Sequence, residues 1–312
     1  MKKFLTKLLI LFSMMFILIP LLAGCTLPGL TSAQRNSDSV RVAATTSTES
    51  QILAYMISEL IEHETNLQTS IVNNMGSASM MHEALVRKNA DIQATSFNGT
   101  ELTGNLQLPP TKDAHKATRI VRRELKKRYD QTYYPTYGFA DTYAFMVKQA
   151  TAQKYHLQTV SDLEKVAQQF SVGVDSIWLN HKGDGYKDFI RYYGFEFKRA
   201  HPMQIGLVYS ALAANKMDVV LGYSTDGRID SYHLQQLQDN KHFFPPYQCS
   251  LVVNNYMLRE HPQLKSLLHR LDGKINLHTM RHLNYQVDDQ LLEPQVVAHQ
   301  FLVQHNYFRG DK

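Results

Sequence analysis

The segment Met217-Asp-Val-Val-Leu-Gly-Tyr-Ser-Thr-Asp-Gly-Arg-Ile-Asp230 joins a short apolar run to a polar turn. Its residues 219–221 predict a strand that is buried on both faces. Gly222 ends the run, and the loop-forming residues 223–227 follow it. In open α/β sheets, ligands bind at the carboxyl ends of the strands. The segment therefore predicts an α/β sheet in which Tyr223 forms one wall of a small-molecule site.

The amino terminus has the pattern of an export signal. Two lysines directly follow Met1, and an apolar run extends over residues 8–22. A basic start, a short apolar core and a small-residue cleavage site predict a secretory signal peptide over residues 1–24, not a transmembrane helix.

The four residues Leu22-Ala-Gly-Cys25 resemble a bacterial lipoprotein box. The resemblance implies that cleavage leaves Cys25 as the first residue and that its thiol is acylated. The small and polar residues 33–39 predict a tether, so we expect residues 25–39 to form a lipidated tether. An uncleaved anchor with an incidental cysteine is the alternative. Cys249 is the other of the 2 cysteines, so a lipidated Cys25 leaves no intrachain disulfide. We expect Cys249 to be an inert buried thiol.

The charge of the chain argues against a nucleic-acid partner. The formal net charge is +5, from 33 basic and 28 acidic residues. Three of the lysines lie in the predicted signal peptide, so the remainder carries 30 basic against 28 acidic residues. Such a near-neutral body lacks the electrostatic footprint that binding to a phosphate backbone requires. We interpret the basic run over residues 119–128 as the solvated face of a helix.

Strands and helices alternate in the first part of the predicted mature chain. The strand patterns are residues 40–44, 67–72 and 91–95. Apolar stripes at helical spacing separate them, and Thr46-Ser-Thr-Glu49 has the spacing of a capping box before the first stripe. This β-α-β-α-β order predicts parallel strands with right-handed crossovers. The loops 45–48, 73–77 and 96–100 therefore share one edge of the sheet.

A second set of alternating elements follows the charged and aromatic segment 113–137, for which a helix is predicted. The set comprises strands at 142–147, 171–174 and 218–221 and helices near 160–169, 184–193 and 205–215. Two prolines in Phe243-Phe-Pro-Pro-Tyr247 then break the pattern, and a strand and three helices follow. We predict two α/β lobes, each a mainly parallel sheet flanked by helices. Residues 40–141 plus 247–312 form lobe 1, and residues 142–246 form lobe 2.

Common catalytic signatures are missing from the sequence. His63-Glu64 and His82-Glu83 each lack the second histidine of an H-E-x-x-H zinc motif. No nucleophile elbow, phosphate-binding loop or dinucleotide fingerprint occurs. Asp226 and Arg228 resemble a catalytic acid and an anion binder, but we favour a turn or hinge pair. We predict a binding protein that is not an enzyme, with no catalytic residues, no metal and no cofactor.

Aromatic residues at predicted loop edges are the positive signal. They are Phe97, Tyr143, Tyr223 and Tyr247. The chain holds 17 tyrosines and 14 phenylalanines, so packing into a core is the open alternative for each of the four. Trp178 is a candidate fifth wall because tryptophan is the best cation–π partner, but we expect it to pack in the core of lobe 2.

Several segments occur together in one order. They are Ser161-Asp-Leu-Glu-Lys-Val166, Val172-Gly-Val-Asp175, Lys182-Gly-Asp-Gly-Tyr186, Gly206-Leu-Val-Tyr209, residues 218–229 and Phe243-Phe-Pro-Pro-Tyr247. Together they resemble the substrate-binding lipoproteins of bacterial glycine betaine/carnitine/choline ABC transporters. The resemblance covers essentially the whole predicted mature chain. It implies a two-lobed, periplasmic-binding-protein-like clamp that closes on a quaternary ammonium compound.

By the same resemblance, the aromatic cage of the family falls on Phe97, Tyr143, Tyr223 and Tyr247. A trimethylammonium group has no N–H to donate, so hydrogen bonds cannot hold it. Ring faces attract it, and each contributes roughly 0.5–2 kcal/mol. Phe97 stands where members of the family usually have tyrosine, so the ring is kept and its hydroxyl is lost.

The polar end of the substrate is assigned to two threonines. Thr100 matches a family position that contacts this end, and Thr45 lies at another position on the loop after the first strand. Hydroxyls and backbone N–H groups at helix starts can receive a carboxylate without a buried counter-charge. Thr45 stands where glutamine is common, which shortens the reach of the side chain.

These features predict a lipid-anchored extracytoplasmic receptor for quaternary ammonium osmoprotectants. Its partners are an ABC permease with its ATPase subunits and the membrane, through the lipid anchor. One alternative is a receptor for another small solute, such as an amino acid, which would need a carboxylate in the pocket. The other is a surface enzyme that acts on choline-like compounds.

Overall fold

The computed structural model describes residues 39–180, 184–245 and 247–308. The predicted signal peptide 1–24, the predicted acylation site Cys25 and the predicted tether up to residue 38 lie outside the described residues. Pro246 and two residues of the segment 182–186 lie outside them as well.

The strands alternate with helices along much of the chain. In order they are β1 (Ser39–Thr45), β2 (Gln68–Met75), β3 (Ile92–Phe97), β4 (Gln131–Ala140), β5 (Tyr143–Lys148), β6 (Ser171–Asp175), β7 (Arg199–Met203), β8 (Val219–Tyr223), β9 (Leu234–Gln236) and β10 (Gln248–Asn254).

The α-helices are named in the same way. They are α1 (Thr48–Glu64), α2 (Ala78–Val86), α3 (Asn98–Thr100), α4 (Ala114–Tyr129), α5 (Gln149–Tyr155), α6 (Ser176–Asn180), α7 (Tyr186–Tyr193), α8 (Ile205–Ala213), α9 (Arg228–Ser231), α10 (Asn255–Glu260), α11 (Gln263–Leu268), α12 (Leu277–Asp288) and α13 (Pro294–Gln304). A π-helical turn spans Glu101–Asn105, and 3-10 helices span Val160–Lys165 and His269–Leu271. None of the helices in the described part of the chain is long and apolar enough to cross a membrane.

Two five-stranded sheets form the framework. The first has the strand order β2-β1-β3-β10-β4, and the second has the order β7-β6-β8-β5-β9. In the first sheet β1 and β3 are parallel, whereas β10 runs antiparallel to β3 and β4. In the second sheet β6 is parallel to β7 and β8, whereas β5 runs antiparallel to β8 and β9. The predicted α/β class is confirmed. In these pairings each sheet contains one strand, β10 in the first and β5 in the second, that runs opposite to its partners.

The chain passes between the sheets twice. The first passage joins β4 to β5 through Asp141 and Thr142, and the second joins β9 to β10. The backbone N–H of Asp141 donates to the carbonyl oxygen of Tyr247 at 3.0 Å, so the two connections lie side by side. The predicted lobe boundaries at 141/142 and 246/247 fall in these connections and stay a prediction.

Helix α1 supplies much of the apolar core of the first sheet. The residues Ile52, Leu53, Met56, Ile57 and Leu60 are fully buried, at the spacing that places one helix face against a sheet. The capping-box prediction at its start was wrong. Ser47 is the N-cap, and its side chain accepts from the Ser50 N–H at 3.4 Å. The Glu49 side chain is buried and is not part of this cap.

The second sheet has an aromatic core. Trp178 is fully buried there, with ring centroids 6.1 Å from Phe145 and 6.2 Å from Phe189. Its indole N–H donates to the carbonyl oxygen of Asp184 at 2.6 Å, which satisfies the one polar atom of the side chain. The expected core role of Trp178 is confirmed.

Three strands do not follow from the sequence pattern. They are β4, β7 and β9, and each lies at an edge of its sheet. Edge strands need fewer apolar residues and tolerate proline, because one side of their backbone makes no ladder hydrogen bonds. Pro135 in β4 and Pro202 in β7 agree with this rule. Because a proline within a run argues against a strand, the sequence pattern predicts neither β4 nor β7.

Candidate functional site

Tyr143 and Tyr223 form an aromatic pair at the edge of the second sheet. They are directly opposite partners at the start of β5 and the end of β8. Their ring centroids are 5.3 Å apart and the ring planes meet at 32°. Antiparallel pairing forces this contact, because opposite residues project to the same face. Burial raises the pKa of both phenols, and their side chains hydrogen-bond to each other, so both rings remain neutral.

Two further aromatic residues fix the orientation of Tyr143. The centroid of its ring lies 5.8 Å from that of Phe244 and 6.3 Å from that of Trp178. Phe244 and Trp178 are buried in the core of the second sheet. The Tyr143–Tyr223 pair therefore packs as an extension of that core.

Tyr247 lies on the connection that returns to the first sheet. Its hydroxyl donates to Oδ2 of Asp184 at 3.2 Å. Burial and the nearby charge of Asp184 raise the pKa of Tyr247, and Tyr223 contributes to the same shift in the pKa. Tyr247 and Asp184 line a cavity of about 630 Å³, together with Phe243 and Lys112. This volume is in the range of small-molecule sites.

Phe97 ends β3, where it is partly buried and pairs in register with Cys249 of β10. Phe97 and Tyr223 line a second cavity of about 400 Å³. The structure thus places Phe97 and Tyr223 at one cavity, Tyr247 at the other, and Tyr143 against Tyr223. Cys249 is a buried free thiol, and burial raises its pKa, as expected for an inert cysteine.

Thr45 and Thr100 do not line either cavity. The Thr45 hydroxyl hydrogen-bonds the Ser47 hydroxyl at 3.0 Å, and the Thr45 N–H donates to Ser50 Oγ at 3.0 Å. Thr100 ends the single turn of α3 and is partly buried. The hydrogen bonds of Thr45 are local, so its side chain organises the start of α1.

Carboxylates at the 400 Å³ cavity were not assigned to the site from the sequence. Glu49, Asp141, Asp226 and Asp288 line it, together with Arg228. The sequence signal was the position of two acids: Glu49 directly follows the predicted loop 45–48, and Asp141 lies at the predicted boundary between the lobes.

Glu49 and Asp141 are electrostatically linked. Burial raises the pKa of Glu49 well above its ordinary value, and the charge of Asp141 raises it further. Burial also raises the pKa of Asp141 to about 6, against the hydrogen bonds from Thr225. One of these bonds comes from the Thr225 N–H to Asp141 Oδ1 at 3.4 Å. Two carboxyl groups so placed resist simultaneous ionisation.

Asp226 and Arg228 close their own turn. The Arg228 guanidinium donates from Nε to Asp226 Oδ1 at 2.8 Å and from Nη2 to Asp226 Oδ2 at 2.5 Å. Its Nη1 donates to the carbonyl oxygen of Gly206 at 2.9 Å. The pair is therefore structural, in agreement with the turn interpretation. Among the described residues, no cluster of three or more His, Cys, Asp or Glu could hold a metal ion.

Comparison with known proteins identifies the family. The family described as the substrate binding domain of the ABC-type glycine betaine transport system matches residues 38–304. The chain belongs to this family. It is thus a substrate-binding component of an ABC transport system, which acts on a small-molecule substrate together with a permease.

Proteins similar to this chain include the carnitine transport binding protein OpuCC of Listeria monocytogenes. It is 47% identical over 305 residues, which cover 97% of this chain and 98% of that protein. The ergothioneine transport permease/ergothioneine binding protein EgtU of Helicobacter pylori is 31% identical over 263 residues, covering 84% of this chain and 46% of that protein.

A solved structure confirms the two-lobed binding-protein fold. The crystal structure of a glycine betaine/carnitine/choline ABC transporter superposes with a TM-score of 0.83 at 50% identity, covering 86% of this chain and 100% of that one. The predicted family and fold class are both confirmed.

Proposed function

We propose that this protein captures a quaternary ammonium osmoprotectant, of the glycine betaine, carnitine or choline type, and delivers it to an ABC permease with its ATPase subunits. The observation that carries the proposal is the Tyr143–Tyr223 pair, whose ring centroids are 5.3 Å apart and whose Tyr223 lines the 400 Å³ cavity. Membership of the glycine betaine transport family supports it. So does the similarity to a carnitine transport binding protein.

Phe97 and Tyr247 complete the proposed cage. Phe97 shares a cavity with Tyr223, and Tyr247 is electrostatically linked to Tyr143 and Tyr223. These residues come from both sheets and from the connection between them. Each ring face that contacts a trimethylammonium group contributes about 0.5–2 kcal/mol, so several faces give a useful affinity.

Thr45 and Thr100 are proposed to act on the polar end of the substrate. Thr45 ends β1 and Thr100 follows β3, so both lie at the edge of the first sheet where Phe97 lies. Their positions follow from the family resemblance, and a contact with substrate would require the clamp to bring them towards the ligand.

The protein is proposed to act on the extracytoplasmic side of the membrane, held by acylated Cys25. The sequence Leu22-Ala-Gly-Cys25 supports this anchor. In this function the substrate is bound and released unchanged, and no bond is made or broken. Hinge closure around a ligand is the known conformational change of such clamps.

Calorimetry on the full chain in detergent micelles tests the proposal. Titration with glycine betaine, carnitine and choline should give saturable binding by at least one of them. Absence of binding by all three would refute the function. Titration with amino acids tests the solute alternative, and analysis of recovered choline for chemical change tests the enzyme alternative.

A further inference from the structure

Helix α4 concentrates positive charge on its exposed side. Its 16 residues include 7 basic residues and a single acid, Glu124. From residue 25 onwards, the rest of the chain holds 23 basic and 27 acidic residues. The near balance of charge over the predicted mature chain therefore results from one strongly positive helix and a negative remainder.

Five of these basic residues form one stripe along the helix, which we call the basic stripe. They are Arg119, Arg122, Arg123, Lys126 and Lys127. All five residues are exposed. Their spacing of three and four residues places them on one side of the helix. The buried residues of the opposite side pack against the protein, and they include Ala117, Val121 and Leu125.

The protein neutralises little of the charge on the basic stripe. Arg123 donates to Oε1 of Glu124 at 2.8 Å, and Arg122 donates to the uncharged carbonyl oxygen of Tyr133 at 3.2 Å. Apart from Arg123, the residues of the stripe form no ion pair within 4.0 Å in the described part of the chain. Like charges three and four residues apart destabilise a helix. An anionic partner would relieve this repulsion.

The acids at the two ends of α4 are already engaged. Asp113 caps the helix, where its Oδ1 accepts from the Lys116 N–H at 2.9 Å. Asp130 follows the last helical residue and pairs with Arg259 at 2.9 Å. The positive charge of the basic stripe therefore faces the solvent.

The stripe fits an extended anionic surface better than a small anion. It covers eight steps of the helix, which is a length of about 12 Å. Among the described residues, none of the large exposed apolar side chains lies on α4. A contact at this face is therefore electrostatic, without an apolar side chain that inserts into the partner.

The predicted lipid anchor indicates which anionic surface is close at hand. Cys25 precedes Ser39, the first residue of β1, by 14 positions. A chain of this length reaches at most about 50 Å, so it holds the folded part near the bilayer without fixing which face meets it. A single acyl chain gives only marginal membrane binding, and a basic patch is a common second signal.

We propose that the basic stripe of α4 is a docking surface for the anionic lipid headgroups of the membrane to which the protein is anchored. The inference rests on the proposed lipid-anchored location and extends it, because the stripe turns one face of the receptor towards the bilayer. The surface potential of anionic lipids attracts basic side chains. Salt screens charges that lie in water, so the contact is reversible and weakens as the ionic strength rises.

Lysine acetylation in the full chain tests this docking surface. The chain is reconstituted into vesicles of phosphatidylcholine, alone or with an equal amount of phosphatidylglycerol, and acetylation by acetic anhydride is followed by mass spectrometry. We expect Lys126 and Lys127 to react at least about 5-fold more slowly in the anionic vesicles and to recover in about 0.5 M NaCl. Lys265, an exposed residue on α11, is the internal reference and should change by less than about 2-fold.

Variants assign the protection to the basic stripe. Arg119→Gln combined with Arg123→Gln should reduce the protection of Lys126 and Lys127 to less than about 2-fold, because two of the five charges are removed. Lys198→Gln combined with Lys216→Gln is the matched control. Both of these lysines are exposed and lie outside α4, so this variant should keep the protection of the wild type.

Circular dichroism verifies that both double variants are folded. An equal loss of protection in the two variants would assign the effect to net charge and overturn the basic stripe. Protection of Lys126 and Lys127 by soluble polyglutamate, but not by anionic lipid, would assign the stripe to an acidic protein and overturn the membrane proposal.

The remaining results separate membrane docking from the proposed function. Equal acetylation in both types of vesicle would overturn the docking surface, while calorimetry reports ligand binding independently. A chain that does not float with phosphatidylcholine vesicles would refute the lipid anchor and membrane docking with it. A chain that floats with both types, with protection in the anionic vesicles alone, supports the proposal even if no quaternary ammonium compound binds.

Discussion

Gly227 lies against Tyr285 so closely that a β-carbon on Gly227 would fall 2.5 Å from the backbone nitrogen of Tyr285. Gly227 follows β8 in the second sheet, whereas Tyr285 lies on α12, which packs with elements of the first sheet. The hydrogen bonds of Asn284 to Thr225 and of Arg281 to Ser224 join the same two segments. The loop after β8 is thus fixed to α12 by close approach and by hydrogen bonds.

We expect Gly227→Ala to lower the free energy of unfolding by about 1–3 kcal/mol, because the obstructing atoms belong to helix backbone and cannot rotate away. Urea denaturation followed by circular dichroism measures the change. Gly104→Ala is the control, since a β-carbon there meets no atom within 4 Å. Equal stability of Gly227→Ala and the wild type would contradict the close contact.

Replacement of Tyr223 tests whether its aromatic ring contributes to ligand binding. We expect Tyr223→Ala to weaken binding of choline or carnitine by about 10–100-fold, because a ring face and its apolar contact are removed. Tyr223→Phe keeps the ring and should remain within about 3-fold of the wild type. Calorimetry gives the affinities, and similar losses in both variants would assign the effect to the hydroxyl instead.

Replacement of Trp178 should reduce the stability of the protein rather than its affinity for the ligand. The side chain is fully buried among aromatic rings, so Trp178→Ala should cost about 3–5 kcal/mol in the free energy of unfolding. Denaturation measures this cost. A stable Trp178→Ala protein with a binding loss as large as that of Tyr223→Ala would place Trp178 in the cage and contradict the assignment made here.

The Glu49 carboxyl should make stability depend on pH. Its pKa is raised in the folded protein, so its contribution is favourable below the unfolded pKa and is lost as the pH rises towards the folded pKa. Glu49→Gln removes this loss. We therefore expect the variant to gain stability relative to the wild type as the pH rises above about 4, the ordinary pKa of a glutamate.

Denaturation at several pH values measures this difference. Glu83→Gln serves as the control, because it removes an exposed carboxylate, paired with Arg87 at 3.2 Å, in place of the buried one. A constant difference between Glu49→Gln and wild type across the range would show that the Glu49 pKa is not raised.

A cation–π contact between parts of the chain that belong to different sheets should slow ligand release. Lys112 Nζ lies 3.9 Å from the centroid of the Tyr192 ring and 5.3 Å from that of Phe243. Lys112 lies before α4 and lines the 630 Å³ cavity with Tyr247, whereas Tyr192 lies on α7. An exposed contact of this kind contributes about 0.5–1 kcal/mol.

Lys112→Met keeps the length of the side chain and removes the charge. We expect the dissociation rate of the ligand to rise about 2–5-fold in stopped-flow measurements, because a contact that must separate on opening is weakened. Lys116→Met, an exposed position on α4, is the control. A rise of the same size in both variants would assign the effect to net charge.

Much of the framework followed from sequence pattern. The apolar run at residues 219–221 predicted β8, and the helical stripe after Thr48 predicted α1, because buried strands and amphipathic helices carry strong periodic signals. The edge strands β4, β7 and β9 lack such signals. Their pairing depends on neighbouring strands from other parts of the chain, which local pattern does not encode.

Of the proposed cage, only the contact between two tyrosines followed from the predicted strands. Tyr143 lies in a predicted strand and Tyr223 follows one, and the antiparallel pairing of β5 with β8 brings their rings together. The Glu49 side chain was assigned to a helix cap from spacing alone. Its true neighbours, Asp141 and Asn284, are far away in the chain, so no local signal distinguished a cap from a cavity wall.

By itself, the sequence determined the residue types and the alternation of strands and helices, since these depend on local periodicity and on side-chain chemistry. The tertiary structure alone decided which acids meet and which of them are buried. The ionisation of Glu49 depends on burial and on the distance to Asp141, and both quantities exist only once residues remote in the chain have packed against each other.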